Sequence, residues 1–325
     1  MPLRKFAGRV LDSLARRLAN RLLPPLLQAY EKAQPQVRSD VFRELPSVTV
    51  PEAPPGGQVI ALDYSVTPKP RWGEAWGLGQ HEPLVNVVRS YDQKTLASVE
   101  TILGFKDALR AVPEQRMNDK DPYWINGWIP GWDGAALYGF TASRQPKRYV
   151  EVGSGNSTKF VRRAINDWNL KTTITSIDPY PRAEIDALCD QIIRQPLESV
   201  GLELFEQLSQ GDICFIDNSH RSFQNSDVTV SMLEILPRLK PGVLLGLHDI
   251  FLPDDYPQDW ADRYYNEQYL LASYLLGGHL GTEIVLPAFD ASRRPEFASQ
   301  LNAIWDLPSL QKVERHGGAF WLLTV

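Results

Sequence analysis

Two short groups of ionisable residues in this 325-residue sequence could do chemistry together: Asp217 with His220, and His248 with Asp249. Two carboxylates and two imidazoles offer either a divalent-metal site or a general base with its orienting acid. Each group follows an apolar run, 213–216 and 243–247, that reads as a buried strand. In an open parallel sheet, ligands bind beyond the carboxyl ends of the strands. The plainer reading is a pair of hydrogen-bonded strand-end turns. Against it, two of the chain's five histidines fall at this one edge.

A third feature lies upstream, in the stretch RYVEVGSGNSTKF over 148–160. The β-branched and aromatic run 148–152 predicts a strand. Gly153-Ser154-Gly155 then permits a tight turn, and Asn156 or Ser157 can cap a helix carrying Phe160, Val161, Ala164, Ile165 and Trp168 on one face. Strand, glycine turn and helix N-terminus open a nucleotide-binding unit, whose free N–H groups attract polar or anionic ligand atoms. The third glycine of the dinucleotide fingerprint is replaced by Thr158, and an acid, Glu151, stands two residues before the first glycine. Asp178 closes the next strand, 173–177, where it suits a ribose diol; a nicotinamide cofactor would use the same acid.

These residues need a scaffold, and the chain from 148 onward alternates strands and helices. Further strands are expected at 191–194, 283–286 and 319–325, with helices over 228–239, 260–276 and 295–304. That alternation predicts an α/β fold with a mostly parallel sheet covered on both faces. Three divisions are expected: a basic amphipathic helix over 1–25, an extension and linker over 26–132 with a helix near 84–112, and the main domain over 133–325. The first helix suits an anionic membrane surface, its own domain or a second subunit. Residues 44–82 are rich in proline and glycine and read as a linker with one short strand near 59–62. Trp124, Trp128 and Trp132 read as a loop ending at a cap, Asp133, and either pack the extension onto the domain or form a lid. Beyond Asp249, the acids Asp254 and Asp255 and several aromatics suggest an acidic rim for a polyhydroxylated or cationic acceptor.

Composition narrows the class. The apolar fraction of 43% and aromatic fraction of 10% suit a substantial core. Net charge −5 argues against general nucleic-acid binding. Cys189 and Cys214 lack metal-type spacing and read as reduced core residues of a cytoplasmic protein, one that 1–25 could also hold peripherally at a membrane.

With these residues placed, the region 145–325 resembles the class I S-adenosylmethionine-dependent methyltransferases, through EVGSGNSTKF, SIDPYPR, FIDNSHRS, HDIFLPDDYP and NEQYLL. The resemblance implies a Rossmann-like sheet with an antiparallel C-terminal strand, preceded here by a helical and irregular extension. It implies S-adenosylmethionine as cofactor, held by Glu151, Gly153, Ser154, Gly155, Asn156, Ser157 and Asp178. It also makes the fourth and fifth strands neighbours, so that Asp217, His220, His248 and Asp249 converge as catalytic residues. More distantly the chain is similar to macrocin-type sugar O-methyltransferases. That similarity implies His220 as base, a divalent metal (Mg, Mn or Zn) on Asp217, His248 and Asp249, and a small-molecule or glycan acceptor. His248 stands where that pattern has an acid, which favours a softer ion than magnesium, or none. An NAD-dependent oxidoreductase and a non-catalytic cofactor-binding scaffold are the alternatives; Glu151 and the missing third glycine count against the first.

Overall fold

The computed structural model describes residue 60 and residues 64–181 and 184–325. The expected amphipathic helix over 1–25 lies outside the described residues, as does most of the strand expected near 59–62. Residues from Pro68 to Val325 form one compact unit, so the expected boundary at 132/133 falls inside it rather than at its edge.

Seven strands make one sheet: β1 Arg148–Val152, β2 Thr173–Ile177, β3 Gln191–Ile193, β4 Ile213–Ile216, β5 Leu244–Leu247, β6 Thr282–Pro287 and β7 Phe320–Thr324. Their order is β3-β2-β1-β4-β5-β7-β6, with β7 antiparallel to both neighbours and the other pairings parallel. The sheet is Rossmann-like, mostly parallel with the reversed C-terminal strand that the resemblance implies. The order changes direction between β1 and β4, which opens a crevice at their carboxyl ends.

Ten α-helical segments surround the sheet among the described residues: α1 Glu82–Arg89, α2 Asp92–Leu103, α3 Lys106–Arg110, α4 Gly131–Arg144, α5 Asn156–Asp167, α6 Glu203–Glu206, α7 Asp227–Val230, α8 Glu267–Leu276, α9 Ala288–Arg293 and α10 Pro295–Leu301. The single helix expected near 84–112 is broken at Ser90–Tyr91 and Gly104–Phe105. The breaks let α1 place Leu84 and Val88 in the core on one sheet face, while α2 and α3 place Val99, Ile102 and Leu109 in the other. The helix expected over 260–276 is a 3-10 stretch, Gln258–Arg263, followed by α8. Pro257 and the left-handed Tyr264 bound that first piece.

Strand residues alternate between the two cores. Tyr149 and Phe215 face α4 and α5, while Val150, Cys214 and Leu245 face the side of α1 and α8. α4 is buried almost all round, as its Ala- and Gly-rich sequence allows, and packs against α5. Trp124 is buried against Phe160 and Trp305, and Trp132 is buried with its ring N–H on Asn302, so of the two readings offered for these tryptophans packing holds for both. On β5, Gly246 lies under the stacked rings of Phe215 and Trp321, and a Cβ there would come within 2.7 Å of each. Gly246→Ala must push these rings apart and should lower unfolding free energy by about 1–3 kcal/mol, read from urea denaturation midpoints at unchanged slope.

Candidate functional site

The glycine turn is built from Glu151 upward. This carboxyl is fully buried on β1, where it meets the Thr158 hydroxyl and, at 3.3 Å, the Tyr149 hydroxyl. Thr158 Oγ1 in turn accepts the Gly155 N–H at 3.1 Å. The missing third glycine is therefore a working residue: Thr158 ties the turn to the strand acid. Burial pushes the Glu151 pKa up to about 7 against the hydrogen bonds that favour its charge. With no exposed surface, Glu151 reaches a ligand only through the turn it supports.

Gly153 has φ 77°, and a Cβ on it would lie 1.6 Å from the Asp217 carbonyl oxygen. Glycine is compulsory there for two reasons, left-handed backbone and contact with the next loop. Gly155 differs: its backbone is extended, φ 179°, and nothing lies within 4 Å of where its Cβ would be. Gly155 also precedes the first residue of α5, so it holds the cap position expected of Asn156 or Ser157. The Ser154 hydroxyl is buried without a hydrogen-bond partner, while the Ser154 N–H donates to Asp178 at 3.0 Å. The second Asp178 oxygen accepts the Tyr180 N–H at 2.7 Å. Asp178 thus fixes both turns, and each oxygen keeps a second lone pair for a ligand. Ser157 is buried and Asn156 half-buried on the first turn of α5. An orphaned hydroxyl and open space at Gly155 fit a polar ligand over this turn.

The four residues Asp217, His220, His248 and Asp249 do converge. His220 Nε2 lies 3.3 Å from Asp217 and 3.4 Å from Asp249, while His248 Nδ1 lies 3.4 Å and 3.5 Å from the same two acids. Both rings are 3% exposed, and the two carboxylates are 20–27% exposed, so the acids face the crevice and the imidazoles stand behind. His220 and Asp249 both adopt left-handed φ, 59° and 55°, a conformation uncommon for histidine and aspartate that aims them inward.

Two further acids hold the rings from outside, and motif reading had not assigned them to the site. His220 Nδ1 meets buried Glu267 at 2.9 Å, and the same carboxylate accepts the Asn218 amide at 3.1 Å. His248 Nε2 meets buried Asp133 at 3.2 Å. Asp133 is no cap; it sits inside α4 and also accepts the Gly318 and Ala319 N–H groups at 2.7 and 3.0 Å. One signal was available for each: Asp133 is the single acid in the apolar run of α4, and Glu267 has no cation on its own helix.

Burial opposes charge on both imidazoles, but the carboxylates around them win. Hydrogen bonds to Asp217 and Glu267 raise the His220 pKa well above the usual range. The charges of Asp217 and Asp249, with the Asp133 hydrogen bond, do the same for His248. Burial likewise works against Asp217, yet the two histidines pull its pKa down, whereas burial prevails and raises those of Asp249 and Glu267.

The donor set also fits a cation. Asp217, His248 and Asp249 bring ligand atoms within 4.8 Å of one another, and His248 Nδ1 is buried with no hydrogen-bond partner. A tetrahedral ion bonded at about 2.0–2.1 Å holds its ligands about 3.3–3.4 Å apart, close to the 3.4 and 3.5 Å from His248 Nδ1 to Asp217 and Asp249. Magnesium prefers oxygen ligands at roughly 2.9 Å edges in an octahedron, which suits this set less well.

The expected acidic rim is absent. Asp254 turns inward to accept the Glu74 and Ala75 N–H groups at 3.2 and 2.8 Å, and Asp255 takes Arg71 N–H and the Tyr269 hydroxyl at 2.9 and 2.6 Å. What borders His220 instead is the Tyr265 ring, 4.6 Å away, with the guanidiniums of Arg221 and Arg263 stacked over Tyr265 and Trp260. No helix among the described residues is long and apolar enough to cross a membrane.

Residues 150–250 match a family model described as a methyltransferase domain. An uncharacterized protein of Archaeoglobus fulgidus is 33% identical over 98 residues, which cover 28% of this chain and 44% of that protein. The chain thus spans under half the length of that curated relative. Among solved structures, the Podospora anserina methyltransferase PaMTH1 bound to SAH is 15% identical with TM-score 0.38, covering 73% of this chain and 96% of that one. An O-methyltransferase from Bacillus cereus in complex with SAH is 12% identical with TM-score 0.34, covering 75% and 99%.

Glu151 gives the site a pH signature. Its folded pKa of about 7 lies above its ordinary 4.5, so the folded state holds the proton longer than the unfolded chain. Its contribution is fully present below pH 4.5 and is lost as pH rises through 7, by about 3 kcal/mol. Glu151→Gln should remove that part of the decline when chemical denaturation at pH 5 and pH 8 is compared with wild type. An equal decline in both proteins would show that Glu151 ionises as freely as an exposed acid.

Proposed function

We propose that this chain, which carries a class I methyltransferase domain, moves a methyl group from S-adenosylmethionine to an oxygen of a hydroxylated small molecule or glycan. The observation that carries this reading is the His220 ring. Its outer nitrogen is fixed by buried Glu267 and its inner nitrogen stands between Asp217 and Asp249 at the crevice. A neutral hydroxyl is a poor nucleophile, and a positioned base at its proton removes that obstacle.

The sulfonium supplies an already activated methyl group. Gly153, Ser154, Gly155 and Asp178 line the adjacent turn, where the unpartnered Ser154 hydroxyl and the free lone pairs of Asp178 suit its polar groups. In its neutral form, populated only above its raised pKa, His220 Nε2 takes the acceptor proton while the acceptor oxygen forms its bond to the methyl carbon. S-adenosylmethionine bound there would give up that carbon and keep the electron pair of the carbon–sulfur bond on sulfur. Glu267 holds the other ring nitrogen and stabilises the imidazolium as it forms. Asp217, His248 and Asp249 would hold a divalent ion such as Zn²⁺ or Mn²⁺, which lowers the pKa of a coordinated hydroxyl. Asp133 then keeps the His248 lone pair on Nδ1 by engaging Nε2. The replacement of the third fingerprint glycine by Thr158, bound to Glu151, weighs against a nicotinamide cofactor.

Calorimetry should find S-adenosylhomocysteine binding and no comparable heat with NAD, and Asp178→Ala should weaken binding by about 1–3 kcal/mol. Equal heats with NAD would overturn the cofactor assignment. His220→Ala should lower turnover on a panel of hydroxylated acceptors by roughly 10²–10⁴ while S-adenosylhomocysteine affinity stays nearly unchanged. Chelation should abolish turnover, with Zn²⁺ or Mn²⁺ restoring more than Mg²⁺. Turnover indifferent to chelator would leave His220 and Glu267 as a metal-free base pair, and turnover surviving His220→Ala would remove the base assignment altogether.

A further inference from the structure

Away from the crevice, the outer side of α5 borders a cavity of about 390 Å³, between Lys120 and Asp121 on one side and residues 187–190 on the other. That volume is within the range of small-molecule sites. Four cations line it, and they are not equivalent. Arg162 is occupied by Asp190 and the Leu188 carbonyl, both at 2.7 Å, and Arg163 by Asp167 at 2.8 Å. Lys159 is different: it is 3% exposed, yet no carboxylate or hydrogen-bond acceptor among the described residues meets its ammonium, which approaches only the Tyr123 ring at 5.9 Å. Lys120 is exposed and likewise forms no ion pair among the described residues.

The Lys159 stem is packed away from water while its ammonium lines the cavity without a direct carboxylate partner, an arrangement that favours an incoming anion. Burial first, and then the Arg116 charge, depress the Lys159 pKa, with the Asp119 carboxylate working against them. The mechanism proposed above makes no use of this group. Its surroundings are those of an anion site: two uncommitted ammonium groups, the Asn166 side chain and an apolar floor from Leu188 and Ala187. Asp121 and Asp190 at the margin would repel a bulky polyanion but accept hydrogen bonds from ligand hydroxyls.

We infer that this flank is a second ligand site, for a phosphate dianion or a small phosphate monoester, with Lys159 as the central contact and Lys120 closing over it. The ligand supplies the direct ion pair that Lys159 lacks among the described residues. The lining residues lie along α5, just before β3 and in the segment ahead of α4, and none is at a strand's carboxyl end, so the site is separate from the crevice.

The test is calorimetry on the full chain with inorganic phosphate and with glycerol 3-phosphate at fixed ionic strength. Saturable binding is expected, weakened at least about tenfold by Lys159→Met, less by Lys120→Met, and reduced by added salt. Binding should be unchanged in Asp249→Asn and in the presence of saturating S-adenosylhomocysteine. Tighter binding of the free anion or of the monoester identifies which source the site takes. No saturable heat in wild type, or equal affinity in both lysine variants, overturns the inference. Competition by S-adenosylhomocysteine, or loss in Asp249→Asn, overturns it too by placing the anion in the crevice. Melting followed by circular dichroism checks that each variant is folded; should Lys159→Met not fold, Lys120→Met and the salt series decide.

Discussion

The glycine turn after β1 and the loop after β4 are pressed together at a single backbone contact, Gly153 against the Asp217 carbonyl. It exists because β1 and β4 are adjacent parallel strands, each sending its chain outward at the same edge. The Asp217 N–H also bonds to the Val152 carbonyl at 2.8 Å, and the Gly153 N–H to the Ile177 carbonyl at 3.0 Å. Three strand ends are therefore locked in register beneath the crevice. A ligand on the glycine turn is held at a fixed distance from Asp217, and from the residues that Asp217 meets.

Behind that edge stands a second layer of buried carboxylates. Glu151 braces the glycine turn, Glu267 braces His220 and Asp133 braces His248. Each is 0% exposed, which is costly for a carboxylate unless its neighbours compensate. Asp133 and Glu267 are compensated by an imidazole and by N–H donors, whereas Glu151 is compensated in part by holding its proton near neutral pH. These acids cost stability in the scaffold and fix the groups at the crevice more tightly than apolar packing would. The segment 71–76 is held against the loop after β5 by the same means, through Asp254 and Asp255, so part of the expected linker belongs to the compact unit.

Much of this was legible in the sequence. The strands at 148–152, 173–177 and 213–216 are short apolar runs bounded by turn residues, and local pattern fixes such elements. The ionisable pairs that follow β4 and β5 could be placed at one edge, because a parallel sheet has only one edge where strands end. What local pattern could not supply was the partner of each polar residue. Asp133 lies 115 residues from His248 and Glu267 lies 47 from His220, and nothing in either neighbourhood names the other. Asp254 and Asp255 read as an acidic rim because exposed acids and inward-turned acids look alike until the backbone N–H groups they serve are known. The helix expected near 84–112 broke for the same reason: its apolar residues serve two different cores, and which core each serves is a property of the assembled sheet. Residue types and spacing determined which groups could react; long-range packing of buried acids, each needing a donor, decided how those groups are held.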